Sequence, residues 1–261
     1  MIANIKEYMS LYLVLETTML KLPLADFVSQ VIEGGVTAIQ LRDKGHTAKE
    51  RYETALQLRE LLRDRDILFI INNNVDMALA VGAHGVHIGV EDLPPAAVRK
   101  AFPQLIIGYS CNNEQDCALA RASADYAGVG PVFFTNTKAN LRPVLGIDGM
   151  QAVVENLQGL PTVAIGGINA DTASQLAGCG NSGIAVSSAI CASERPYEAA
   201  LALRKRRGYL LENVESDNVP TDDIKKSQSA YKTIQERFEG FTGDYNADFM
   251  DWGKPVGKEV W

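Results

Sequence analysis

The sequence predicts an eight-stranded β/α barrel of the TIM type, followed by a C-terminal extension. Eight short apolar runs of strand length recur, separated by stretches with helical periodicity, which is the pattern of repeated βα units around a parallel sheet. Eight such units in roughly 200 residues match a closed barrel better than an open doubly wound sheet, which has fewer strands and a glycine-rich turn after the first. Here the first strand leads into ETTMLKLP instead.

The predicted strands follow one another at nearly regular spacing. They lie at residues 12–15, 38–41, 68–71, 85–88, 106–109, 126–129, 162–165 and 183–186. Between them lie amphipathic segments at residues 25–34, 48–63, 94–101, 114–123, 149–156 and 171–176. We expect each of these segments to be a helix that covers part of the outer face of the sheet.

Composition argues against several classes of function. The formal net charge of −7 disfavours general nucleic-acid binding, although it allows a local basic pocket around an anionic ligand. No apolar run approaches the roughly 18 residues of a membrane span, and the N-terminus has no signal-peptide pattern, so we expect a cytoplasmic protein. The four cysteines lack CxxC spacing and are interpreted as reduced packing residues.

Polar residues and glycines follow most of the predicted strands. In a β/α barrel the carboxyl ends of the strands open into a shared mouth where substrates bind. Gln40, Arg42 and Lys44 alternate along an extended segment, so their side chains are predicted to face one side and to bind a polyphosphate. The alternative for these charges is a solvated strand end.

Two further groups at strand ends indicate phosphate and metal binding. Gly166, Gly167, Ser187 and Ser188 follow strands seven and eight, where backbone amides often surround a phosphate. Asp92, with an oxygen from Asn72 or Asn73, is predicted to hold Mg²⁺. The alternative for Asp92 is an N-cap, because a helix follows it directly.

The segment at residues 131–146 is longer than an ordinary βα loop. It holds Thr135, Thr137, Lys138 and Arg142 and is predicted to be a lid that brings Lys138 onto a pyrophosphate and excludes water. His46, His84 and His87 form no recognisable triad or zinc motif. They are assigned no role, and His87 is interpreted as a packed strand residue.

The motifs QLRDK, INNNVDMALAVGAHGVHIGVED, GYS, DYAGVGPVFFTNTK, AIGGI and AVSSAI closely resemble the thiamine-phosphate synthase family, in the correct order, over about residues 11–205. The resemblance implies a transferase that joins hydroxymethylpyrimidine diphosphate to thiazole phosphate, giving thiamine monophosphate and pyrophosphate with the help of Mg²⁺. It also implies a dissociative substitution, in which pyrophosphate departs before the thiazole nitrogen attacks.

Matching positions carry the implied roles. The pyrimidine diphosphate would be bound by Gln40, Arg42, Lys44, Asn72, Ser110 and Lys138. The thiazole phosphate would be bound by Thr135, Thr137, Gly167, Ser187 and Ser188. Asn73 and Asp92 would serve the metal, and Ser110, Lys138 and Arg42 are the expected catalytic residues.

Four positions depart from the family pattern. The family usually has an aspartate at Asn73, a glutamine at Val90, and a small pair followed by other residues where this chain has Cys111 and Asn112. An amide in place of a carboxylate keeps an oxygen ligand but removes a negative charge, so we expect weaker Mg²⁺ binding. A thiazole tautomerase-like isomerase is the alternative enzyme, and it is disfavoured because that relative has a histidine after the fifth strand.

The chain beyond the barrel has a different character. We predict a barrel domain at residues 1–207, a polar linker or helix at 208–236, and an acidic and aromatic tail at 237–261. The tail resembles the toxin-binding tail of MazE-type antitoxins, which implies a MazF-type toxin as a possible partner. A fusion remnant and a tail packed on its own barrel are the alternatives for this segment. For the whole chain, a weakly active barrel that carries a toxin-binding tail is a further alternative function.

Overall fold

A computed structural model describes residues 4–135 and 142–208 and contains a closed eight-stranded parallel barrel in the strand order β1 to β8. The strands are β1 (Leu11–Leu15), β2 (Ala38–Leu41), β3 (Leu68–Asn72), β4 (Gly85–Ile88), β5 (Ile106–Cys111), β6 (Tyr126–Val129), β7 (Thr162–Ile165) and β8 (Gly183–Val186). β1 pairs with β8 in parallel, which closes the ring. The predicted fold class is therefore confirmed.

Nine α-helices lie within the described ranges. They are α1 (Ile5–Tyr8), α2 (Leu24–Glu33), α3 (Ala48–Leu61), α4 (Val75–Val81), α5 (Pro95–Ala101), α6 (Glu114–Ser123), α7 (Gly146–Asn156), α8 (Ser188–Cys191) and α9 (Pro196–Gly208). The segment predicted as a helix at residues 171–176 is instead a short 3-10 turn, Ala173–Leu176. Four further helices, α1, α4, α8 and α9, were not among the predicted segments. For α1 and α8 the reason is their length, because four residues are too few to display helical periodicity.

Local sequence signals begin several helices that frame the barrel mouth. Thr47 and Glu50 form a reciprocal capping box at the start of α3, which satisfies two backbone donors at once. Asn113 accepts a hydrogen bond from Asp116 N at 2.9 Å at the start of α6. These two caps determine where the loops after β2 and β5 end and where α3 and α6 begin.

The buried apolar residues form two clusters, one between the strands and the surrounding helices and a smaller one inside the barrel. The buried members of the smaller cluster are Tyr8, Met9, Tyr12, Val14, Ala38, Leu68, Ile70, Ile106, Tyr126, Val163 and Ala185. Because side chains alternate along a strand, each strand sends one set inward and the other set against the helices. Tyr8 and Met9 lie before β1, so this cluster fills the amino-terminal end of the barrel and leaves the other end for polar groups.

None of the helices at residues 4–135 and 142–208 has both the length and the apolar character that crossing a membrane requires.

Candidate active site

An open cleft of roughly 610 Å³ lies at the carboxyl end of the barrel. Six of the predicted site residues line it together: Arg42, Lys44, Asn72, Asn73, Asp92 and Ser110. These residues come from the ends of β2, β3, β4 and β5, and parallel neighbours end at the same edge of a sheet. The structure therefore brings most of the predicted diphosphate and metal residues together in one cleft.

Arg42 is not a solvated strand end. Its Nη1 lies 3.2 Å from Glu16 Oε2, and the two side chains are only 14% and 15% exposed. Below it, the buried carboxylate of Asp43 accepts hydrogen bonds from Thr17 N at 3.1 Å and Thr17 Oγ1 at 2.6 Å. These contacts tie the loop after β1 to the end of β2 and hold the guanidinium at the edge of the cleft.

Asn73 has a left-handed backbone conformation, with φ of 64°. Its backbone N–H donates a hydrogen bond to His87 O at 2.8 Å. Asparagine and aspartate tolerate this conformation better than other non-glycine residues. An aspartate at this position would therefore fit the same turn without added backbone strain.

Asp92 does not cap the helix that follows it. Its Oδ2 accepts a hydrogen bond from Gly89 N at 2.7 Å, and the N-cap position of α5 belongs to Pro94. Within the described residues, Asp92 Oδ1 takes part in no hydrogen bond. The carboxylate is thus oriented by the loop after β4 while one oxygen is kept for the cleft.

Gln40 lies beneath the cleft rather than in its wall. It is 4% exposed, its Oε1 accepts from Tyr12 OH at 2.9 Å, and its Nε2 donates to Asn72 Oδ1 at 2.7 Å. Both of its polar atoms are therefore occupied by protein groups, and its contact with the cleft runs through Asn72.

His87 is a cleft residue that the sequence analysis treated as packing. Its Nε2 lies 3.0 Å from Ser110 Oγ, and its Nδ1 lies 3.1 Å from Tyr126 OH. The alternation along β4 was the available signal, because Gly85 and His87 share the inward face. In the register, His87 lies opposite Asn72 on β3 and Gly108 on β5.

Arg142 also lines the cleft, although it was not among the predicted site residues. It forms an ion pair with Asp116, whose side chain is 8% exposed. Asn112 supports the same corner: its Nδ2 donates to Gly130 O at 3.0 Å and to Pro143 O at 3.1 Å. The unusual residue at position 112 thus fixes both ends of the segment that connects β6 to α7.

Four of the predicted thiazole-phosphate residues lie in the described ranges and follow β6, β7 and β8, outside the walls of this cleft: Thr135, Gly167, Ser187 and Ser188. Gly167 has φ of 66°, and a Cβ there would lie 2.5 Å from Phe134 O. Only glycine fits such a close approach with this backbone. The chain leading to Thr135 therefore runs directly beside the end of β7.

Ser187 and Ser188 follow the neighbouring strand, β8. The Ser187 hydroxyl oxygen is buried and, apart from the adjacent Cys191 thiol, has no hydrogen-bond partner within the described residues. Thr137 and Lys138 lie outside the described residues, as does the predicted tail at 237–261. Their proposed roles stay predictions.

All four cysteines are unpaired and buried. Burial raises the pKa of the Cys111 thiol, and it raises the pKa of Cys191 to about 11. Because thiolates are the reactive form of cysteine, these residues act as packing groups in the described structure. This agrees with the interpretation of the sequence.

Comparison with known proteins points to one family. The sequence profile described as "Thiamine monophosphate synthase" matches residues 11–190. A thiamine-phosphate synthase from Archaeoglobus fulgidus is 40% identical over 201 residues, covering 77% of this chain and 94% of that protein. Another, from Pyrococcus furiosus, is 40% identical over 203 residues, covering 77% and 96%.

Solved structures agree with these sequence matches. The structure of a thiamine phosphate pyrophosphorylase from Pyrococcus furiosus superposes with a TM-score of 0.72 at 39% identity, covering 80% of this chain and all of that one (100%). A 3-hexulose-6-phosphate synthase superposes with a TM-score of 0.56 at 17% identity, covering 76% and 99%. The second likeness concerns the barrel fold alone.

Proposed function

Since the chain belongs to the thiamine monophosphate synthase family, we propose that it joins hydroxymethylpyrimidine diphosphate to thiazole phosphate, forming thiamine monophosphate and pyrophosphate. The observation that carries the proposal is the cleft in which Arg42, Lys44 and Arg142 meet Asp92 and Ser110. Three cations around a polar floor suit a diphosphate that must be bound and then released.

Arg42, Lys44 and Arg142 would hold the diphosphate. Arginine offers several donors in one plane, so a guanidinium already paired with one carboxylate still has N–H groups to donate. Arg42 is paired with Glu16 and Arg142 with Asp116, and these ion pairs orient both guanidinium groups. Lys138 is proposed to add a further cation from the segment after β6.

Asn73 and Asp92 would hold Mg²⁺ beside the same oxygens. The fit rests on the chemistry of these donors: one carboxylate and one amide oxygen at the edge of a phosphate cleft suit a cation that keeps several waters and shares phosphate oxygens. Within the described residues, no group of three or more His, Cys, Asp and Glu side chains encloses a metal. When bound there, Mg²⁺ would neutralise charge on the departing pyrophosphate.

The thiazole phosphate would bind on the opposite side of the mouth, near β7 and β8. Gly167 brings its backbone against Phe134, directly before Thr135, and Ser187 and Ser188 follow the adjacent strand. Anionic groups are often bound by loops after strands seven and eight of such barrels. The two substrates would then meet over the floor formed by Asn72 and Ser110.

The proposed reaction is a dissociative substitution. The bond between the pyrimidine methylene carbon and the diphosphate oxygen breaks, and its electron pair leaves with pyrophosphate. The thiazole nitrogen then donates its lone pair to the methylene cation, forming the new carbon–nitrogen bond. Positioning and charge stabilisation would supply most of the rate, because the cleft brings Arg42, Lys44 and Arg142 to the place proposed for the departing diphosphate.

The tautomerase-like alternative receives no support from the end of β5. Where that relative has a histidine, Asn112 donates to the carbonyls of Gly130 and Pro143 and is occupied in holding the loop. The interpretation of residues 237–261 as a toxin-binding tail rests on the sequence alone.

The direct test is to incubate the full chain with both substrates and Mg²⁺ and to measure thiamine monophosphate and pyrophosphate. We expect equal amounts of the two products, and loss of both when either substrate is omitted. Arg42→Ala should reduce the rate at least about tenfold, since it removes a charge-assisted contact. Conversion of a thiazole substrate to an isomer without pyrophosphate release would instead support the tautomerase hypothesis.

A further inference from the structure

An unbroken line of hydrogen bonds crosses the barrel interior and joins two residues of the cleft floor. It runs from Asn72 to Gln40, then through the hydroxyls of Tyr12 and Tyr126, to His87 and finally Ser110. The five donor–acceptor distances are 2.7, 2.9, 2.8, 3.1 and 3.0 Å in that order. Both ends of the line face the cleft, while its centre is sealed from solvent.

The two tyrosines cannot exchange partners with water. Tyr12 is 1% exposed and Tyr126 is fully buried, and burial raises the pKa of both phenols, so both keep their hydrogens. Each hydroxyl has one hydrogen to donate. In such a closed line, the direction of one bond therefore determines the direction of the next.

The direction follows from the anion at one end. If Asn72 faces a diphosphate, its Nδ2 must point into the cleft and its Oδ1 must accept from Gln40 Nε2. Gln40 Oε1 then accepts from Tyr12, and Tyr12 accepts from Tyr126. Tyr126 in turn accepts from His87 Nδ1–H, which leaves Nε2 of the neutral imidazole to accept from the Ser110 hydroxyl.

We propose that Tyr12, Tyr126 and His87 are positioning residues that set this hydrogen-bond direction: Asn72 presents N–H groups to the diphosphate, and Ser110 presents oxygen lone pairs to the methylene cation. The inference rests on the proposed function for the identity of the ligand. It assigns Ser110 to the cationic half of the reaction, with its hydrogen committed to His87, rather than to the grip on pyrophosphate implied by the family resemblance.

The space for this line is provided by glycines on the inward face of the barrel. A Cβ at Gly108 would lie 2.4 Å from His87 Nδ1, and one at Gly128 would lie 3.0 Å from His87 Cε1. The imidazole therefore lies in a gap between β5 and β6 that larger residues would close. Its orientation is set by packing as well as by its two hydrogen bonds.

The tautomer of His87 tests the proposal without any substrate. We would record long-range ¹H–¹⁵N correlations of the full chain at about pH 8.5, well above the ordinary imidazole pKa of about 6.5, and assign His87 with the His87→Gln variant. We expect hydrogen on Nδ1. His84 gives an internal reference with the opposite pattern, because its Nδ1 accepts from Phe69 N at 2.9 Å. Hydrogen on Nε2 of His87 would mean that the line runs the other way and would overturn the proposal.

Tyr126→Phe and Tyr12→Phe test the consequence for catalysis. Removing the Tyr126 hydroxyl should shift the His87 hydrogen towards Nε2 and lower kcat about 5- to 10-fold, the equivalent of one ordinary hydrogen bond, with each KM changed less than about twofold. Tyr8→Phe is the matched control, since Tyr8 donates to Asp66 at 2.7 Å at the other end of the barrel; it should leave kcat unchanged.

The two experiments separate the two proposals. A wild-type protein with hydrogen on Nδ1 but no thiamine monophosphate formation would contradict the proposed function and leave the line of hydrogen bonds intact. Unchanged kcat and an unchanged His87 tautomer in Tyr126→Phe would contradict the positioning role. If either tyrosine variant fails to fold, the wild-type spectrum alone still decides the direction.

Discussion

The guanidinium of Arg142 is held at the cleft by the buried carboxylate of Asp116, a residue 26 positions earlier on a different βα unit. Asp116 lies in the first turn of α6 and also accepts from Asn112 N at 2.9 Å. Arg142, which follows the segment at residues 131–141, is thereby held against the loop after β5. Its position does not depend on the substrate.

This relationship predicts a binding defect when the cation is removed. Arg142→Ala should raise the KM for the pyrimidine diphosphate about tenfold or more, because a charge-assisted hydrogen bond contributes roughly 1.5–3 kcal/mol. Steady-state kinetics with the thiazole phosphate saturating would measure the change. Arg63→Ala, which removes an exposed arginine two residues beyond α3, serves as the control, and an equal KM in both variants would exclude Arg142 from the binding site.

The metal requirement should respond to position 73. In Asn73→Asp, an added carboxylate beside Asp92 should lower the Mg²⁺ concentration for half-maximal rate several-fold, since anionic oxygens bind this cation more tightly than amides. The φ of 64° at this residue is accessible to aspartate, so the exchange should not disturb the turn. Initial rates across a Mg²⁺ titration provide the measurement, and identical half-saturation in both proteins would count against a metal ligand here.

Stability should fall in mild acid because of His84. Burial, together with the nearby Arg59 charge, lowers the pKa of His84 to about 4, below the ordinary value of about 6.5. A depressed histidine pKa means that the unfolded chain binds the proton first. The stabilising contribution of the neutral ring is therefore complete above about pH 6.5 and is lost as the pH falls towards 4, by at most about 3 kcal/mol.

Urea unfolding at pH 7.5, 6 and 5 would measure this loss, with His84→Asn as the comparison. Asparagine retains an acceptor for Phe69 N but does not titrate, so its stability should vary less over the same interval. If the free energy of unfolding fell equally with pH in the two proteins, the acid sensitivity would not come from His84.

Gly108 should tolerate no side chain. A Cβ at this position would lie 2.2 Å from Tyr126 Cζ, and overpacking of a well-packed core costs about 1–3 kcal/mol. Gly108→Ala should therefore lower the free energy of unfolding and displace His87 from Ser110. Gly149→Ala in α7, where the nearest atom lies 3.3 Å away, should be close to neutral. Equal stability of the two variants would contradict the packing argument.

The fold and the main cleft could be predicted from the sequence because both depend on local patterns. Apolar runs gave strand positions, and the rule that strand ends meet at one mouth brought Arg42, Asn72, Asp92 and Ser110 together. β5 is longer than predicted and ends at Cys111, because pairing with β6 continues through Ser110 and Cys111.

Other parts of the site depend on contacts between distant segments. The pairing of Arg142 with Asp116 requires the path of the chain after β6, which no local pattern specifies. Gln40 was placed with Arg42 and Lys44 by alternation alone, yet its neighbours Tyr12 and Asn72 draw it into the barrel. The role of His87 was hidden because its partners lie on two other strands.

The contact between Tyr12 and Tyr126 spans 114 positions in the chain, and this has a consequence for how the protein matures. A nascent chain that has emerged only through β5 already carries Arg42, Asp92 and Ser110, but it lacks the phenol that orients His87. The line of hydrogen bonds across the barrel interior is therefore complete only after β6 has joined the sheet, and a fragment that ends at β5 is expected to hold His87 without its contact to Tyr126.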